Sequence, residues 1–398
     1  MKFRPAGSPV GLRRRRRYSL SSPGGRLLVV VGCCLIASAI FYLFLHQSAT
    51  SSNDVRDHHQ QHVIIDDDDD DDYEEQPIST WTPPPNEVQK PPKLAMLLSF
   101  PNSGTSYTLK LVKTATGYFT GNTYIKELYE KRDPIYPDTG RGPYWQDETQ
   151  AVRQTMRRPP EYVLVKSHCA GYCSTCSPID QQTSEKAFRN GCVKTFDLED
   201  QVARFDIDKV SKIVHMVRNP FDNIVARYHL DMHLRQKYNE TSEYDTNTPE
   251  GFVQSCAAFV DSWWNEDGRS EGLQLLPDKV QEAFEIWQAA KVPCFSDFYR
   301  YAIWHNHAFE LRTQLELPQL ILHYDSWGTD WESTKWKLLT FLEYSSNIVK
   351  DPLLQTIPFI SSGKSYSNYY TDEQRSAIQK GLKLIASRET WEILQDYF

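Results

Sequence analysis

Residues Leu94–Thr116, LAMLLSFPNSGTSYTLKLVKTAT, decide the fold of this chain. An apolar run ends at Phe100, a short polar segment around Gly104 follows, and apolar residues then recur at helical spacing. This pattern predicts a buried strand, a tight loop and a helix. Such a loop directs backbone N–H groups at one point near the positive end of the helix dipole, where phosphate or sulfate binds. An ordinary strand-to-helix turn has the same pattern, so the stretch alone leaves both interpretations open.

The loop differs from that of the nucleoside triphosphatases. Their G-x-x-x-x-G-K-[ST] motif places a lysine just before the helix, where it reaches the terminal phosphates. The segment Asn102–Ser106 contains no lysine. This difference disfavours hydrolysis of ATP or GTP.

The amino-terminal region predicts a membrane anchor. The first 26 residues contain eight basic and no acidic side chains, and residues 27–45 are uncharged and mostly apolar. At about 1.5 Å per residue this run spans roughly 28 Å, enough to cross the hydrocarbon core of a bilayer. The charge pattern predicts a cytosolic tail (1–26), a transmembrane signal anchor (27–46) and a lumenal remainder. A cleaved signal peptide is the alternative, but the length of the run favours a type II anchor.

Composition divides the rest of the chain into a stalk and a domain. Residues 47–93 include seven consecutive aspartates and a run of three prolines, and such a segment cannot bury a core. We interpret it as a disordered stalk. Residues 94–398 are apolar and aromatic enough to form a lumenal domain. The formal net charge of −8 argues against a nucleic-acid partner, because proteins that bind nucleic acids usually carry a basic surface.

Six cysteines follow the predicted anchor. An even number in an oxidising compartment predicts up to three disulfides. The close spacing of three of them, with Cys192 as a fourth ligand, leaves zinc binding as the less favoured alternative. The segment Asn239-Glu240-Thr241 is an N-glycosylation sequon and predicts a surface loop. The six cysteines are Cys169, Cys173, Cys176, Cys192, Cys256 and Cys294.

Polar side chains directly follow two further apolar strands. His168 comes after Tyr162–Lys166, and Arg218 comes after Lys212–Val217. Strands that alternate with helices predict an α/β fold with a mostly parallel sheet covered on both faces. The carboxyl ends of its strands meet at one edge, where open α/β sheets bind ligands. Lys166, His168 and Arg218 are therefore expected to face the 102–106 loop, and together they suit transfer of an anionic group to a hydroxyl.

The remaining chain gives weaker signals. We interpret Tyr118–Pro160 as a short helix and a long loop that lines a substrate pocket. Glu240–Pro293 is expected to be irregular. A helix over Asp297–Leu315, a strand over Gln319–Tyr324 and a helix near Trp331–Leu342 follow, and a capping-box pattern at 371–374 opens the last helix.

Several segments together resemble the sulfotransferases that use 3′-phosphoadenosine 5′-phosphosulfate (PAPS). SFPNSGTSYTLKLV looks like their 5′-phosphosulfate loop, F-P-K-S-G-T-T-W, and VLVKSH looks like their K-T-H segment. IVHMVRNPFDNIVARYH resembles their 3′-phosphate motif, V-x-R-N-P-x-D, and GKSYSNYYTDEQ resembles their W-K-N-x-F-T stretch. The resemblance runs from about Leu94 to the end of the chain, with Tyr228–Pro293 unaccounted for.

The resemblance implies a P-loop-like three-layer fold and a Golgi-resident, type II enzyme that sulfates a glycan or secreted protein. Arg218 and Lys364 would bind the 3′-phosphate of PAPS. His168 would remove the proton of the acceptor hydroxyl, and Lys166 would stabilise the bridging oxygen. No metal is expected. The 5′-phosphosulfate would be held by Asn102, Ser103, Gly104, Thr105 and Ser106.

Two departures from the family pattern keep other functions open. Asn102 stands where the family has lysine, and Ala226 stands where it has serine. Arg227 is adjacent, but on a helix it points about 100° away from Ala226. These departures keep open a catalytically silent binding protein with the sulfotransferase fold. A carboxylate such as Asp222 is the alternative base.

A type II glycosyltransferase is the other alternative, because it would share the tail, the anchor and the stalk. Asp206-Ile207-Asp208 offers the D-x-D that such enzymes use to hold a metal and a nucleotide sugar. The position of this motif, before the third strand instead of after an apolar strand, counts against it.

Overall fold

The computed structural model describes residues 92–124, 159–170, 185–198, 201–262, 275–344 and 366–398. The predicted tail and anchor, almost all of the predicted stalk, and Lys364 lie outside the described residues. Within the described ranges, no helix is long and apolar enough to cross a membrane. The anchor stays a prediction.

A parallel sheet forms the centre of the described structure. Its order is β2-β3-β1-β6-β7, and every neighbouring pair is parallel. A separate antiparallel hairpin, β4-β5, had no counterpart in the predicted elements. The strands are β1 (Lys93–Ser99), β2 (Gly121–Asn122), β3 (Tyr162–Ser167), β4 (Lys194–Leu198), β5 (Gln201–Phe205), β6 (Val210–Val217) and β7 (Gln319–His323).

Ten α-helices lie within the described ranges, and most of them connect or flank these strands. A single π-helical turn, Cys256–Val260, continues the fourth helix. The helices are α1 (Thr105–Thr116), α2 (Glu185–Cys192), α3 (Pro220–Lys237), α4 (Pro249–Ser255), α5 (Asp278–Ala289), α6 (Phe295–Gln314), α7 (Ser326–Thr329), α8 (Trp331–Phe341), α9 (Asp372–Ile385) and α10 (Arg388–Leu394).

The side chains of β1 divide between two hydrophobic layers. Ala95 and Leu97 pack with residues of α1 and α8 on one face of the sheet. Leu94, Met96 and Leu98 pack with residues of α2 and α6 on the other face. Because both faces are covered, the central strands form continuous apolar runs instead of alternating apolar and polar residues. The predicted α/β class, with a parallel sheet between two helical layers, is confirmed.

A third hydrophobic cluster joins α3, α4, α5 and α9 around the buried Trp287. A Cβ atom on Gly381 would lie 2.3 Å from the indole nitrogen of Trp287, so α5 and α9 approach closely because this glycine has no side chain. The expectation of irregular structure over Glu240–Pro293 is wrong for α4 and α5. Thr248 caps α4 and Pro249 occupies its first turn, and these are signals that the sequence interpretation overlooked.

Two disulfides lie within the described ranges, Cys169–Cys192 and Cys256–Cys294. The first ties the end of β3 to α2, and the second ties the π-helical turn to the start of α6. A disulfide sulfur cannot serve as a thiolate ligand, so the zinc alternative that used Cys169 and Cys192 is wrong. Cys173 and Cys176 lie outside the described residues.

Local capping signals were predicted correctly. The side chain of Asn219 accepts a hydrogen bond from the Phe221 N–H at 3.0 Å, with Pro220 in the first turn of α3. Thr371 and Gln374 form the predicted capping box at α9. These signals depend on neighbouring residues only, and therefore they can be recognised in the sequence.

Candidate active site

The carboxyl ends of the parallel strands lie at one edge of the sheet, and the predicted site residues lie at or after the ends of β1, β3 and β6. Arg218, after β6, donates from Nη1 to the backbone oxygen of Asn102 at 2.7 Å. The Nδ1 atom of His168, after β3, lies 2.8 Å from the backbone oxygen of Ser99, the last residue of β1. The structure therefore brings the β1–α1 loop, His168 and Arg218 together.

The backbone of the loop turns sharply, and this turn requires a glycine. Asn102 and Gly104 both have positive φ values, 63° and 87°. A Cβ atom on Gly104 would lie 2.3 Å from the ring of Tyr324, the residue after β7, so no larger residue fits there. Thr108 closes the turn because its hydroxyl donates to the Gly104 oxygen at 3.0 Å. α1 begins directly at this turn and has no acidic residue in its first turn, as suits the approach of an anion.

A residue that the sequence interpretation overlooked also supports the loop. The side-chain amide of Asn223, in the first turn of α3, donates to the Pro101 oxygen at 2.8 Å and to the Ser103 hydroxyl at 3.2 Å. Together with Arg218 it fixes the loop from the β6–α3 connection. Asn223 directly follows the R-N-P-x-D motif and lies one helical turn before Ala226. That position is the signal that could have identified Asn223.

The side-chain amide of Asn102 is buried in this loop. It is 1% exposed, and neither of its polar atoms has a hydrogen-bond partner in the part of the chain that the structure describes. The same holds for Oδ1 of Asn223. A buried amide without a partner costs about 1–3 kcal/mol, so each calls for an explanation such as a bound ligand. The Asn102 amide can donate to an anionic oxygen, although it lacks the charge of a lysine.

Arg218 is held from several directions. Its guanidinium lies 4.4 Å from the ring centroid of Tyr324, and its backbone oxygen accepts from the Tyr301 hydroxyl at 2.5 Å. Asp222 lies one helical turn further on. Burial raises the pKa of that carboxyl and outweighs the opposing effect of the Arg218 charge. A carboxyl that protonates more readily is better tolerated beside an anion.

His168 is completely buried. Its Nδ1 is within hydrogen-bond distance of the Ser99 backbone oxygen, which can only accept, so Nδ1 carries the proton and Nε2 holds the lone pair. Burial, aided by the charge of Lys166, lowers the pKa of the imidazole to about 3. His168 is neutral at physiological pH, as a base must be, but it is a weaker base than an imidazole in water.

Lys166 lies at the end of β3, opposite Leu97 of β1, and is completely buried. Burial lowers its pKa to about 7. Its Nζ atom lies 5.7 Å from the ring centroid of Tyr124. The amine is thus neither fully charged nor fully neutral near pH 7, and a nearby anion would favour its charged form.

Three residues that had not been predicted surround His168. The Ser99 hydroxyl lies 3.1 Å from Nδ1, and the Tyr124 hydroxyl accepts the His168 backbone N–H at 2.6 Å. The indole of Trp304, on α6, donates to the His168 backbone oxygen at 3.0 Å. Ser99 carries a recognisable signal, as a polar residue that closes an apolar strand. Tyr124 and Trp304 carry none.

The residues around Ala226 form a separate structural cluster. Arg227 donates to Oδ2 of Asp297 at 2.5 Å, and Arg300 donates to Oδ1 of the same carboxylate at 2.6 Å. We refer to these three residues as the arginine–aspartate cluster. All three are buried. Arg227 therefore binds a carboxylate and does not take the place of the serine that the family pattern has at Ala226.

The D-x-D segment lies at the opposite end of β6 from Arg218. Asp206 caps a short 3₁₀ turn by accepting from the Asp208 N–H, and Asp208 pairs with Arg189. In the described ranges, no group of three or more His, Cys, Asp or Glu side chains is arranged to hold a metal ion. This position does not favour the glycosyltransferase alternative, since the D-x-D does not face the ligand edge.

No protein-family model and no curated protein matches the sequence. The solved structures to which the chain is similar include three sulfotransferases. The mouse sulfotransferase SULT7A1 complexed with PAP is 13% identical over 77% of this chain and 88% of that chain, with a TM-score of 0.34. A sulfotransferase from Alicyclobacillus acidocaldarius is 11% identical over 77% and 96%, with a TM-score of 0.32. The sulfotransferase domain from the curacin biosynthetic pathway is 14% identical over 78% and 98%, with a TM-score of 0.31.

Proposed function

We propose that this protein transfers a sulfuryl group from PAPS to a hydroxyl of a glycan or secreted protein in the Golgi lumen. One observation supports the proposal most strongly. The proposed anion-binding loop after β1, the buried residues Lys166 and His168 at the end of β3, and Arg218 after β6 meet at one edge of a parallel sheet. That edge is where open α/β folds bind ligands.

The proposed reaction assigns one task to each group. His168 takes the proton of the acceptor hydroxyl at Nε2, and the acceptor oxygen forms a bond to sulfur. The bond between sulfur and the bridging oxygen breaks, and its electron pair stays on that oxygen. Protonated Lys166 stabilises the negative charge that develops there. The leaving product is adenosine 3′,5′-bisphosphate.

Binding of the donor would raise the pKa values of both Lys166 and His168, as their proposed tasks require. The phosphate charges of the donor favour the charged forms of Lys166 and His168, so both pKa values rise when it binds. Lys166 then becomes fully protonated near pH 7, and His168 becomes a stronger base. The amides of Asn102–Ser106 hold the 5′-phosphosulfate, and Arg218 with Lys364 holds the 3′-phosphate. Fixed amides and cations supply the stabilisation that a metal ion provides in other transferases, and we propose no metal.

The test uses the full-length protein in detergent micelles. Calorimetry with adenosine 3′,5′-bisphosphate measures donor-site binding, and radiolabelled PAPS measures transfer to glycan and protein acceptors. The proposal expects saturable binding and labelled product. A folded protein that binds no bisphosphate would overturn the proposed donor site.

A second candidate, a catalytically silent binding protein, is favoured by Asn102 and Ala226, which remove a cation and a hydroxyl from the family pattern. It predicts that the bisphosphate binds and that no acceptor is labelled. Restoring the family residues in the double variant Asn102→Lys/Ala226→Ser would then create transfer activity. If the native chain is active, the same variant should only tighten donor binding.

The proposed location is tested separately. A type II topology places residues 47–398 in the lumen, where added protease cannot reach them in sealed microsomes. It also exposes Asn239 to glycosylation, and Asn239 lies exposed in the turn after α3 with φ of 59°. A glycosidase-sensitive mass that disappears in Asn239→Gln and remains in Thr241→Ser supports the location. Digestion of the domain in sealed microsomes would overturn it.

A further inference from the structure

We propose that Tyr124 is a positioning residue that holds Lys166 and His168 in their working arrangement. The proposal rests on the proposed function, because it assigns a task to a residue beside the two groups that would carry out sulfuryl transfer. Nothing in the sequence pattern marks Tyr124 for this task. Its contacts in the folded chain carry the inference.

The short strand β2 places Tyr124 at the site. β2 pairs with β3 so that Asn122 lies opposite Lys166. The side chain of Asn122 then accepts the Tyr124 backbone N–H at 2.6 Å, which turns the chain directly after the strand. Tyr124 is 8% exposed, so its ring is enclosed at the end of β3.

The hydroxyl of Tyr124 fixes the backbone of His168. It accepts the His168 N–H at 2.6 Å, and the two rings lie 5.5 Å apart with an angle of 31° between their planes. On its other side the imidazole is bonded to Ser99 through Nδ1. His168 is therefore held through its backbone by Tyr124 and through its ring by Ser99, and together these contacts limit the directions in which Nε2 can point. A displacement of about 1 Å in a reacting group can reduce turnover by about a hundredfold.

The ring of Tyr124 also contacts Lys166. The Nζ atom lies 5.7 Å from the ring centroid, within the range of a cation–π interaction. The negative face of the ring favours the ammonium form of the lysine. Tyr124 thus contacts both groups with one side chain: its ring lies near the Lys166 amine, and its hydroxyl bonds the backbone of His168.

Two substitutions separate the contacts. Tyr124→Phe removes the hydroxyl and keeps the ring, so we expect kcat to fall about tenfold while the pH at which activity declines on the alkaline side is unchanged. Tyr124→Leu removes both contacts. We expect it to lower kcat about a hundredfold and to move the alkaline decline to lower pH by about half a unit. Affinity for adenosine 3′,5′-bisphosphate should change less than about threefold in both variants.

Tyr118→Phe serves as the matched control. Tyr118 is a buried tyrosine on the same segment, and its ring packs against Tyr344 in the hydrophobic layer with α1 and α8. It should leave the pH profile and kcat unchanged. If Tyr124 only supports the fold, both Tyr124 variants would lower stability and the active fraction without moving the pH profile, and the proposal would be overturned.

A measurement without turnover separates this proposal from the proposed function. Nitrogen-15 spectra of protein labelled at lysine report the titration of the Lys166 amine, which is assigned with Lys166→Met. We expect the titration midpoint to be lower in Tyr124→Leu and unchanged in Tyr124→Phe. An unchanged midpoint in Tyr124→Leu would refute the contact between ring and amine even in an active enzyme. A shifted midpoint in a protein without transfer activity would support the contact between the Tyr124 ring and the Lys166 amine and would contradict the proposed sulfuryl transfer.

Discussion

Two groups of buried ionisable side chains differ in how their charges are balanced. In the arginine–aspartate cluster, each oxygen of Asp297 accepts from a different arginine. The second group, Lys166 and His168, consists of two bases that carry the same sign of charge when protonated, and burial lowers both pKa values. A cluster in which opposite charges pair directly serves the fold. A buried pair that resists protonation costs folding free energy, and such pairs are common at sites that bind or react.

The largest expected effect is the loss of turnover when His168 is replaced. His168→Gln keeps hydrogen-bonding ability but loses basicity, so turnover should fall by a factor on the order of 10² to 10⁴ with donor affinity nearly retained. Steady-state kinetics and calorimetry measure the two quantities. His307→Gln, at a partly exposed histidine on α6, is the control. Near-normal turnover would exclude His168 as the base and would leave Asp222 as the candidate.

The next prediction concerns the arginine–aspartate cluster. Asp297→Ala leaves two buried guanidinium groups without their shared carboxylate, so the free energy of unfolding should fall by about 3–5 kcal/mol. Denaturant unfolding measures the change, and bisphosphate affinity of the folded fraction should be retained. The control is Glu332→Ala, which removes the exposed partner of Lys335 and should cost less than about 1 kcal/mol. A loss of affinity without a loss of stability would contradict the structural role.

The third prediction concerns Lys166, where removal of a buried charge should stabilise the fold instead of destabilising it. Lys166→Met should abolish transfer and yet raise the free energy of unfolding by an amount on the order of 2–4 kcal/mol at pH 7. The folded pKa of about 7 lies below the unfolded value of about 10.4, so the unfolded chain binds the extra proton between these limits. The native protein therefore loses stability as pH falls from about 10 to 7, and the gain from Lys166→Met should be largest below pH 7.

Lys212→Met is the matched control for that prediction. Lys212 lies on β6, and its amine bonds to the Phe341 oxygen at 2.7 Å and to Glu343 at 2.6 Å. Because its charge is paired, the same substitution should lower stability there. Unfolding measured from pH 6 to 10 compares the two variants. Equal effects at both positions would show that burial of Lys166 carries no cost.

The smallest expected effect concerns Arg218. Arg218→Ala removes a charge-assisted contact to phosphate, so bisphosphate binding should weaken by about 1.5–3 kcal/mol. Some loss of stability accompanies it, because the guanidinium also holds the Asn102 oxygen. Calorimetry on the folded variant decides the point, with Arg388→Ala, at an exposed arginine of α10, as the control. Unchanged affinity would assign Arg218 to the fold alone.

The sequence by itself determined the frame of the site. An apolar run, a glycine turn and a helical period predicted β1, its loop and α1, and polar residues after two further apolar runs predicted the ligand edge. The Asn219 cap and the capping box at Thr371 were likewise recognised. These features could be predicted because periodicity, turns and caps depend on residues only a few positions apart.

Only the tertiary structure decided what surrounds the predicted residues. The partners of His168 are Tyr124, Ser99 and Trp304, which lie 44, 69 and 136 residues away in the chain. No local pattern links residues at such distances. The lowered pKa values of Lys166 and His168, the pairing of Arg227 with Asp297 and the disulfide pairing all follow from burial and proximity. Those are properties of the folded chain, because they arise only when distant segments exclude water together.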